Sequence, residues 1–344
     1  MFGKSSHLMV AVSALLVFSL RAAPTPAQDD FYKGKTIRII VGSAPGGGFD
    51  TYARAIARQM GKHIPGNPTV IVENMTGAGS LRAANYVYRI AKPDGLTIGH
   101  FLGGLLLGQA LGREGIEFDA RKFEYLGVPV RETNICALSK RTGLANLEQW
   151  LASKTPVKMG GIAPGNATDD APKILQPAIG LPVHLVSGYK GTSEIRLAVE
   201  GGEVAGVCMG WDSIKATWRK ALDAGEVMIV VQSTPRAHSD LPKVPLAVNF
   251  AKTEEGRRLI EVGLHDLSAV LRPYALPPGT PKERVEILRR AFMETLKDPE
   301  FLAAAEKSRM SIDPVGGEEI RKIVGGLFEL SPSLVARLKD VLKW

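Results

Sequence analysis

Cysteine, aromatic residues and clustered charge are all scarce in this chain, and each scarcity removes a class of function. There are 2 cysteines among 344 residues, with no Cys-x-x-Cys pair or Cys/His cluster of the kind a metal site needs. Aromatic residues make up 6% of the chain, and the basic residues stand singly. A surface that tracks a phosphate backbone needs clustered Lys and Arg, so no nucleic-acid partner is expected. The richest local group, Arg284 to Arg290, reads as the wet face of an amphipathic helix. Catalytic signatures are missing too: there is no Gly-x-Ser-x-Gly elbow and no His-Glu-x-x-His. The six histidines are isolated, and only His100, at the end of an apolar run, sits where it is a candidate for a cleft; core or rim packing is its plainer role. Gly34-Lys35-Thr36 lacks the upstream glycine of a P-loop, and Gly77-Ala78-Gly79 is followed by Arg82 where a dinucleotide fingerprint carries Gly or Ala. No cofactor, no metal and no catalysis are expected.

The N-terminus is more informative. Lys4 precedes a short apolar run, Leu8–Leu20, which Arg21 ends, and Ala22 to Gln28 is small and Pro-containing. That is the layout of a cleaved secretory signal over residues 1–27, and the run is too short for a membrane anchor, which needs about 20 apolar residues. No later stretch is long or apolar enough to span a bilayer, so an exported soluble protein, a monomer, is expected. With 45% apolar residues the chain can bury one or two cores. Its formal charge of +8 at most favours anionic ligands. Export makes a disulfide feasible. Cys136 and Cys208 lie in apolar strand-like segments, and the sequence leaves open whether they bridge or serve as small buried hydrophobes.

Strands and helices alternate. Thr36–Val41, Thr69–Val72 and Leu96–Phe101 read as strands, separated by helical spacing over Phe49–Ile64 and Ser80–Ala91. This order predicts a parallel sheet. The pattern restarts with short strands at Asn134–Leu138, Val157–Ile162, Val183–Val186, Val204–Met209 and Val227–Val231, with helices at Asp169–Ile179, Ser193–Glu200 and Asp212–Ala224. Beyond a Pro-rich passage come a helix around Glu254–Val262, a strand near Ala269–Leu276, and helices near Pro281–Lys297 and Gly317–Lys339. The fold class expected is α/β with two lobes: residues 31–130 plus 247–344 form the first, and 131–246 the second.

Three glycine-rich loops sit between a strand end and a helix start: Ser43-Ala44-Pro45-Gly46-Gly47-Gly48 with Asp50, Thr76-Gly77-Ala78-Gly79-Ser80, and Gly165-Asn166-Ala167-Thr168. Glycine lets bare backbone approach a ligand. The following helix aims its unpaired N–H groups, and the positive end of its dipole, at the same spot. In open parallel sheets ligands sit beyond the carboxyl ends of the strands, and an oxyanion fits there. One such loop is an ordinary βα turn; three in a chain without catalytic groups favour binding. Lys190, beside Tyr189, either steers an anion or is a solvated loop residue. Met209 and Trp211, past another strand, either wall a cleft or pack in a core.

An ordered series of motifs carries a family resemblance over nearly the whole chain beyond the signal segment. Pro45-Gly46-Gly47-Gly48-Phe49-Asp50, Val72-Glu73-Asn74, Gly77-Ala78-Gly79 and Lys92-Pro93-Asp94-Gly95 are followed by Tyr189-Lys190-Gly191, Gly201-Gly202-Glu203-Val204 and Pro278-Gly279-Thr280-Pro281. Together they resemble the receptors of tripartite tricarboxylate transporters, the Bug family. The resemblance implies a periplasmic clamshell with two crossovers that binds a small carboxylate-bearing ligand and delivers it to membrane permease subunits. It also implies that the first two loops hold the carboxylate, answered by Gly165 to Thr168, Tyr189-Lys190-Gly191 and the strand end Cys208-Met209-Gly210-Trp211. Two departures stand out. The family's third loop usually offers Ser-Ser or Ser-Thr with a following His, where this chain has Asn166, Ala167, Thr168 and Asp169; the strand end lacks the usual Asp or Asn. Asp169 and Asp170 add negative charge that a second ligand carboxylate would meet. The ligand expected is therefore a monocarboxylate whose apolar or aromatic body rests on Trp211 and Met209. Rival readings are a periplasmic hydrolase or isomerase built on His100 or Cys208, and a receptor reporting to a signalling partner.

Overall fold

The computed structural model describes residues 31–343, so the expected signal segment lies outside the described residues. In chain order the first strands and helices are β1 (Thr36–Val41), α1 (Gly48–Met60), β2 (Thr69–Asn74), α2 (Leu81–Arg89), β3 (Thr97–His100), α3 (Gly104–Ala110) and β4 (Glu124–Val128). Then follow β5 (Asn134–Ser139), α4 (Leu147–Leu151), β6 (Val157–Gly160), α5 (Ala167–Ile179), β7 (Val183–Val186), α6 (Thr192–Gly201), β8 (Gly206–Gly210), α7 (Trp211–Thr217), α8 (Arg219–Asp223) and β9 (Val227–Ser233). The chain closes with α9 (Glu254–Ile260), β10 (Tyr274–Leu276), α10 (Lys282–Thr295), α11 (Pro299–Lys307), β11 (Val315–Gly316), α12 (Gly317–Leu327) and α13 (Pro332–Leu342).

These elements build the two-lobed periplasmic-binding-protein fold. One sheet has six strands in the order β11-β4-β10-β3-β1-β2, and the other has five in the order β7-β6-β8-β5-β9. β1 runs parallel to both β2 and β3, as the β-α-β-α-β order requires, whereas β10 and β11 return antiparallel from the far end of the chain. β1 is β-branched and buried from Ile39 to Val41, which suits a strand covered on both faces. Against it packs α1, with Tyr52, Ala53, Ile56 and Met60 on its inner stripe. The segments 129–133 and 234–273 connect the sheets. Helices α9 and α13, late in sequence, pack on α5 of the second lobe.

In the second sheet Cys136 and Cys208 are register partners on antiparallel β5 and β8, and a disulfide joins them. Both are fully buried. Sequence alone had left that pairing open; strand adjacency decides it.

Local chemistry corrects several boundaries. The helix expected over Gly317–Lys339 is two, because Ser331 caps α13 by accepting a hydrogen bond from the Leu334 N–H and Pro332 takes the first helical position. Of the strand expected at Ala269–Leu276 only β10 forms; residues 266–270 are a 3-10 turn, and Pro273 has no N–H to give a ladder. The helix expected over Asp212–Ala224 is interrupted at Trp218. α3, α11, β4 and β11 had no clear sequence signal.

Candidate functional site

The loop from Gly42 to Gly47 wraps the N-terminus of α1. Gly46 adopts a φ of +80° and its N–H donates to Asp50 Oδ2 at 2.9 Å. Asp50 also accepts from Arg54 Nε and Asn74 Nδ2, each at 2.9 Å, and Asn74 Nδ2 donates as well to Ser43 O. Burial alone pushes the Asp50 carboxyl up, but the hydrogen bonds from Arg54, Gly46 and Asn74 outweigh it and hold the group below its ordinary value. Asp50 clamps the first loop from behind the cavity lining. The second loop carries Ala78 and Ser80 at positive φ beside Gly77 and Gly79, a costly conformation kept where surroundings over-determine it. Ser80 Oγ accepts from the Leu102 N–H at 3.2 Å, and a Cβ on Gly42 would stand 1.7 Å from that oxygen. Glycine at 42 is what lets the two loops touch.

Asn166 Oδ1 caps α5 by accepting from the Thr168 N–H at 2.9 Å, and Thr168 Oγ1 accepts from the Ile162 N–H. Asp169 and Asp170 are turned into the lobe: Ser187 Oγ donates to Asp169, and the Gly165 N–H donates to Asp170 Oδ1 at 3.1 Å. Neither lines the cavity, so the negative charge expected at the site is held behind its wall. At α6, Tyr189 Oη donates to Glu203 Oε1 at 2.6 Å, and the Lys190 N–H donates to Glu194 Oε2. Partial burial, reinforced by Glu203, raises the Tyr189 phenol to about 12.

The lobes meet across these loops. Ser193 Oγ donates to Gly46 O at 3.0 Å, Arg113 Nη1 donates to Pro164 O at 2.7 Å, and a Cβ on Gly79 would lie 2.8 Å from Ala163 Cβ. Between them is a cavity of about 370 Å³. It brings together Ser43, Ala44, Gly47 and Gly48 from the first loop, Thr76 to Ser80 from the second, Gly165 to Thr168 from the third, Tyr189 and Lys190 before α6, and Met209 and Gly210 at the end of β8. Phe49, Leu102, Ile162 and Leu271 supply apolar wall.

Pro45, Gly46, Asp50, Cys208 and Trp211 are not among the lining residues. Pro45 and Gly46 are exposed. Cys208 is held by its disulfide, and along β8 its neighbour Met209 alternates toward the cavity. Trp211 packs in the second lobe's hydrophobic cluster, and its indole donates to Asp240 Oδ2 at 2.9 Å. His100 is fully buried, stacked between Phe49 and Tyr274 with ring centres 4.9 and 4.1 Å away, and Nδ1 lies 3.0 Å from Pro273 O. Burial lowers it to about 3, and it does not reach the cavity.

Among the lining residues that the sequence does not single out are Glu132, Asn134, Ser213 and Arg272. Glu132 and Arg272, both buried and one on each connecting segment, form an ion pair, and Arg272 also donates to Ser213 Oγ. The guanidinium lies over the rings of Phe49 and Tyr52, 4.7 and 5.1 Å from their centres. Burial pushes the Glu132 carboxyl up from its ordinary value, and the Arg272 cation opposes that shift.

No family model matches the sequence. A UPF0065 protein of the TAR-I ttuE–ttuC′ intergenic region of Agrobacterium vitis is 30% identical over 295 residues, spanning 84% of this chain and 79% of the relative. The chain belongs to the UPF0065 family, the Bug/TctC family. Solved structures share the fold of this family member. MatC from Rhodopseudomonas palustris with bound malate has a TM-score of 0.69 at 20% identity over 90% of this chain and 99% of that one. The periplasmic binding protein BugD has the same score and identity over 90% and 98%.

Proposed function

We propose that the protein is a periplasmic solute-binding receptor that closes its two lobes on the carboxylate of a small organic acid and hands it to the permease subunits of a tripartite tricarboxylate-type transporter. The observation that carries this reading is the cavity itself. Loops leading into α1 and α5 and the turn before α6 line it from both lobes, so the positive ends of three helix dipoles gather around one cavity. Each hydrogen bond to a carboxylate is worth about 1.5–3 kcal/mol, and micromolar affinity needs only about 8 kcal/mol net. A handful of contacts therefore suffices after ordering costs. MatC, whose fold the chain shares, is solved with malate, which supports a carboxylate as the ligand class. Transport as the destination of the ligand, and export by a cleaved signal, rest on family membership and on the N-terminal pattern.

His100 and Cys208, the residues a catalytic reading requires, are sequestered in the core, and no observation favours that reading over binding. Thermal-shift screening of the mature protein against organic acids at fixed ionic strength tests the proposal. A saturable rise in Tm with at least one acid is expected, and no rise with any acid would overturn it.

A further inference from the structure

Three of the cavity's lining residues that are themselves buried have polar atoms that make no hydrogen bond among the described residues. They are the Glu132 Oε1, Asn134 Oδ1 and Arg272 Nη1 atoms. Each residue is 4% exposed or less. The rest of each ionic group is satisfied: Arg272 spends Nε on Glu132 and Nη2 on Ser213, leaving Nη1 beside Gly48, where a Cβ would stand 3.3 Å away. Glu132 spends Oε2 on that pair and the other oxygen lies against Gly210. Both glycines line the cavity, so the open valences lie where it is floored. Unpaired buried polar atoms are costly and uncommon in folded chains, and two acceptors and one donor on residues that line one cavity have a chemical complement.

We infer that Glu132, Asn134 and Arg272 form a selection subsite that requires of the ligand, besides its carboxylate, a distal polar group with an N–H or O–H donor. A carboxamide is the chemical complement of all three atoms: its carbonyl would accept from Arg272 Nη1, and its two N–H bonds would serve Glu132 Oε1 and Asn134 Oδ1. A second carboxylate satisfies Arg272 but faces the Glu132 anion with no proton to offer. An alkyl tail leaves all three atoms dry and unpaired. Sites built to hydrogen-bond a donor reject analogues lacking it far more strongly than apolar pockets reject a change of shape. The inference rests on the carboxylate reading above and narrows it from small acids generally to acids with a donor at the far end.

Matched probes isolate the donor. Succinamate and 4-oxopentanoate, glutaramate and 5-oxohexanoate, and adipamate and 6-oxoheptanoate differ within each pair only by NH₂ in place of CH₃. Calorimetric titration of the mature protein should show the amide of the best-fitting length binding at least about tenfold tighter than its methyl ketone. Succinate, glutarate and adipate should also bind more weakly than the amide. Asn134→Ala should cut the preference for amide over ketone severalfold. The double variant Glu132→Met with Arg272→Met replaces the ion pair by apolar residues of similar volume, which folded proteins commonly tolerate; it should abolish the preference. Equal binding of amide and ketone at every length, or tighter binding of the dicarboxylates, overturns the subsite and leaves the carboxylate reading standing. Failure of every acid to bind overturns both.

Discussion

Gly210 and Glu132 occupy nearly the same space: a Cβ on Gly210 would stand 1.6 Å from Glu132 Oε1 and 2.2 Å from its Cδ. The end of β8 can therefore pass the floor of the cavity only because residue 210 has no side chain. Gly210→Ala must displace a buried carboxylate that is already paired with Arg272. Overpacking of this kind costs about 1–3 kcal/mol, and a chain of this size loses about 1–2 °C of Tm per kcal/mol. Scanning calorimetry should show a lower Tm for Gly210→Ala; an unchanged Tm would mean that Glu132 moves freely.

Gly104 approaches Gly165 across the cleft so closely that a Cβ on Gly104 would lie 2.0 Å from Gly165 O. That contact is between lobes, so Gly104→Ala should act as a wedge. Closure and ligand affinity should fall at least about tenfold, the effect of losing about 1.4 kcal/mol. Small-angle scattering with saturating ligand should give a larger radius of gyration for the variant than for the parent.

The disulfide between Cys136 and Cys208 closes a loop of 72 residues. In the chain-entropy account a loop of that length contributes about 4 kcal/mol. The variant Cys136→Ala with Cys208→Ala should unfold at distinctly lower denaturant concentration than the oxidised parent. Reducing agent should lower the parent and leave the variant unchanged.

His100 gives the fold a pH dependence. Its folded-state value, about 3, lies below the ordinary 6.5 because burial disfavours the charged ring. Its stabilising effect is fully present above pH 6.5. Between pH 6.5 and about 3 the unfolded chain binds the proton and the native chain does not, so stability falls with pH by up to about 1.4 kcal/mol per unit. Asp50, held below its ordinary 3.8, adds a loss that begins only under that pH. His100→Gln should flatten the slope of unfolding free energy between pH 6.5 and 4 and leave the steeper fall below 3.8. An unchanged slope would show that His100 does not carry it.

Much of this architecture was legible in the residues. A β-branched run ending in glycine marks β1, and glycine-rich stretches between strand and helix mark the loops that line the cavity. Other features lacked a local signature. Glu132 and Arg272 are single charges on connecting segments, 140 residues apart, and only the meeting of the two crossovers pairs them. Trp211 looked like a ligand wall because it follows a strand end; its indole needed a partner and found Asp240 instead. Cys208 and Met209 are adjacent, and strand alternation gives one to the disulfide and the other to the cavity. The break before α13 was written in Ser331-Pro332, but apolar spacing on both sides conceals it. β11 is too short to show a period.

A crystal structure of the mature protein with its tightest-binding organic acid decides the account. The ligand carboxylate should lie inside the cavity within about 3 Å of backbone N–H groups from the Ser43–Gly48 and Thr76–Ser80 loops, directly or through one water, with the third loop closing from the other lobe. A ligand seated elsewhere, or a carboxylate held only by side chains while those backbone groups face bulk solvent, would contradict it.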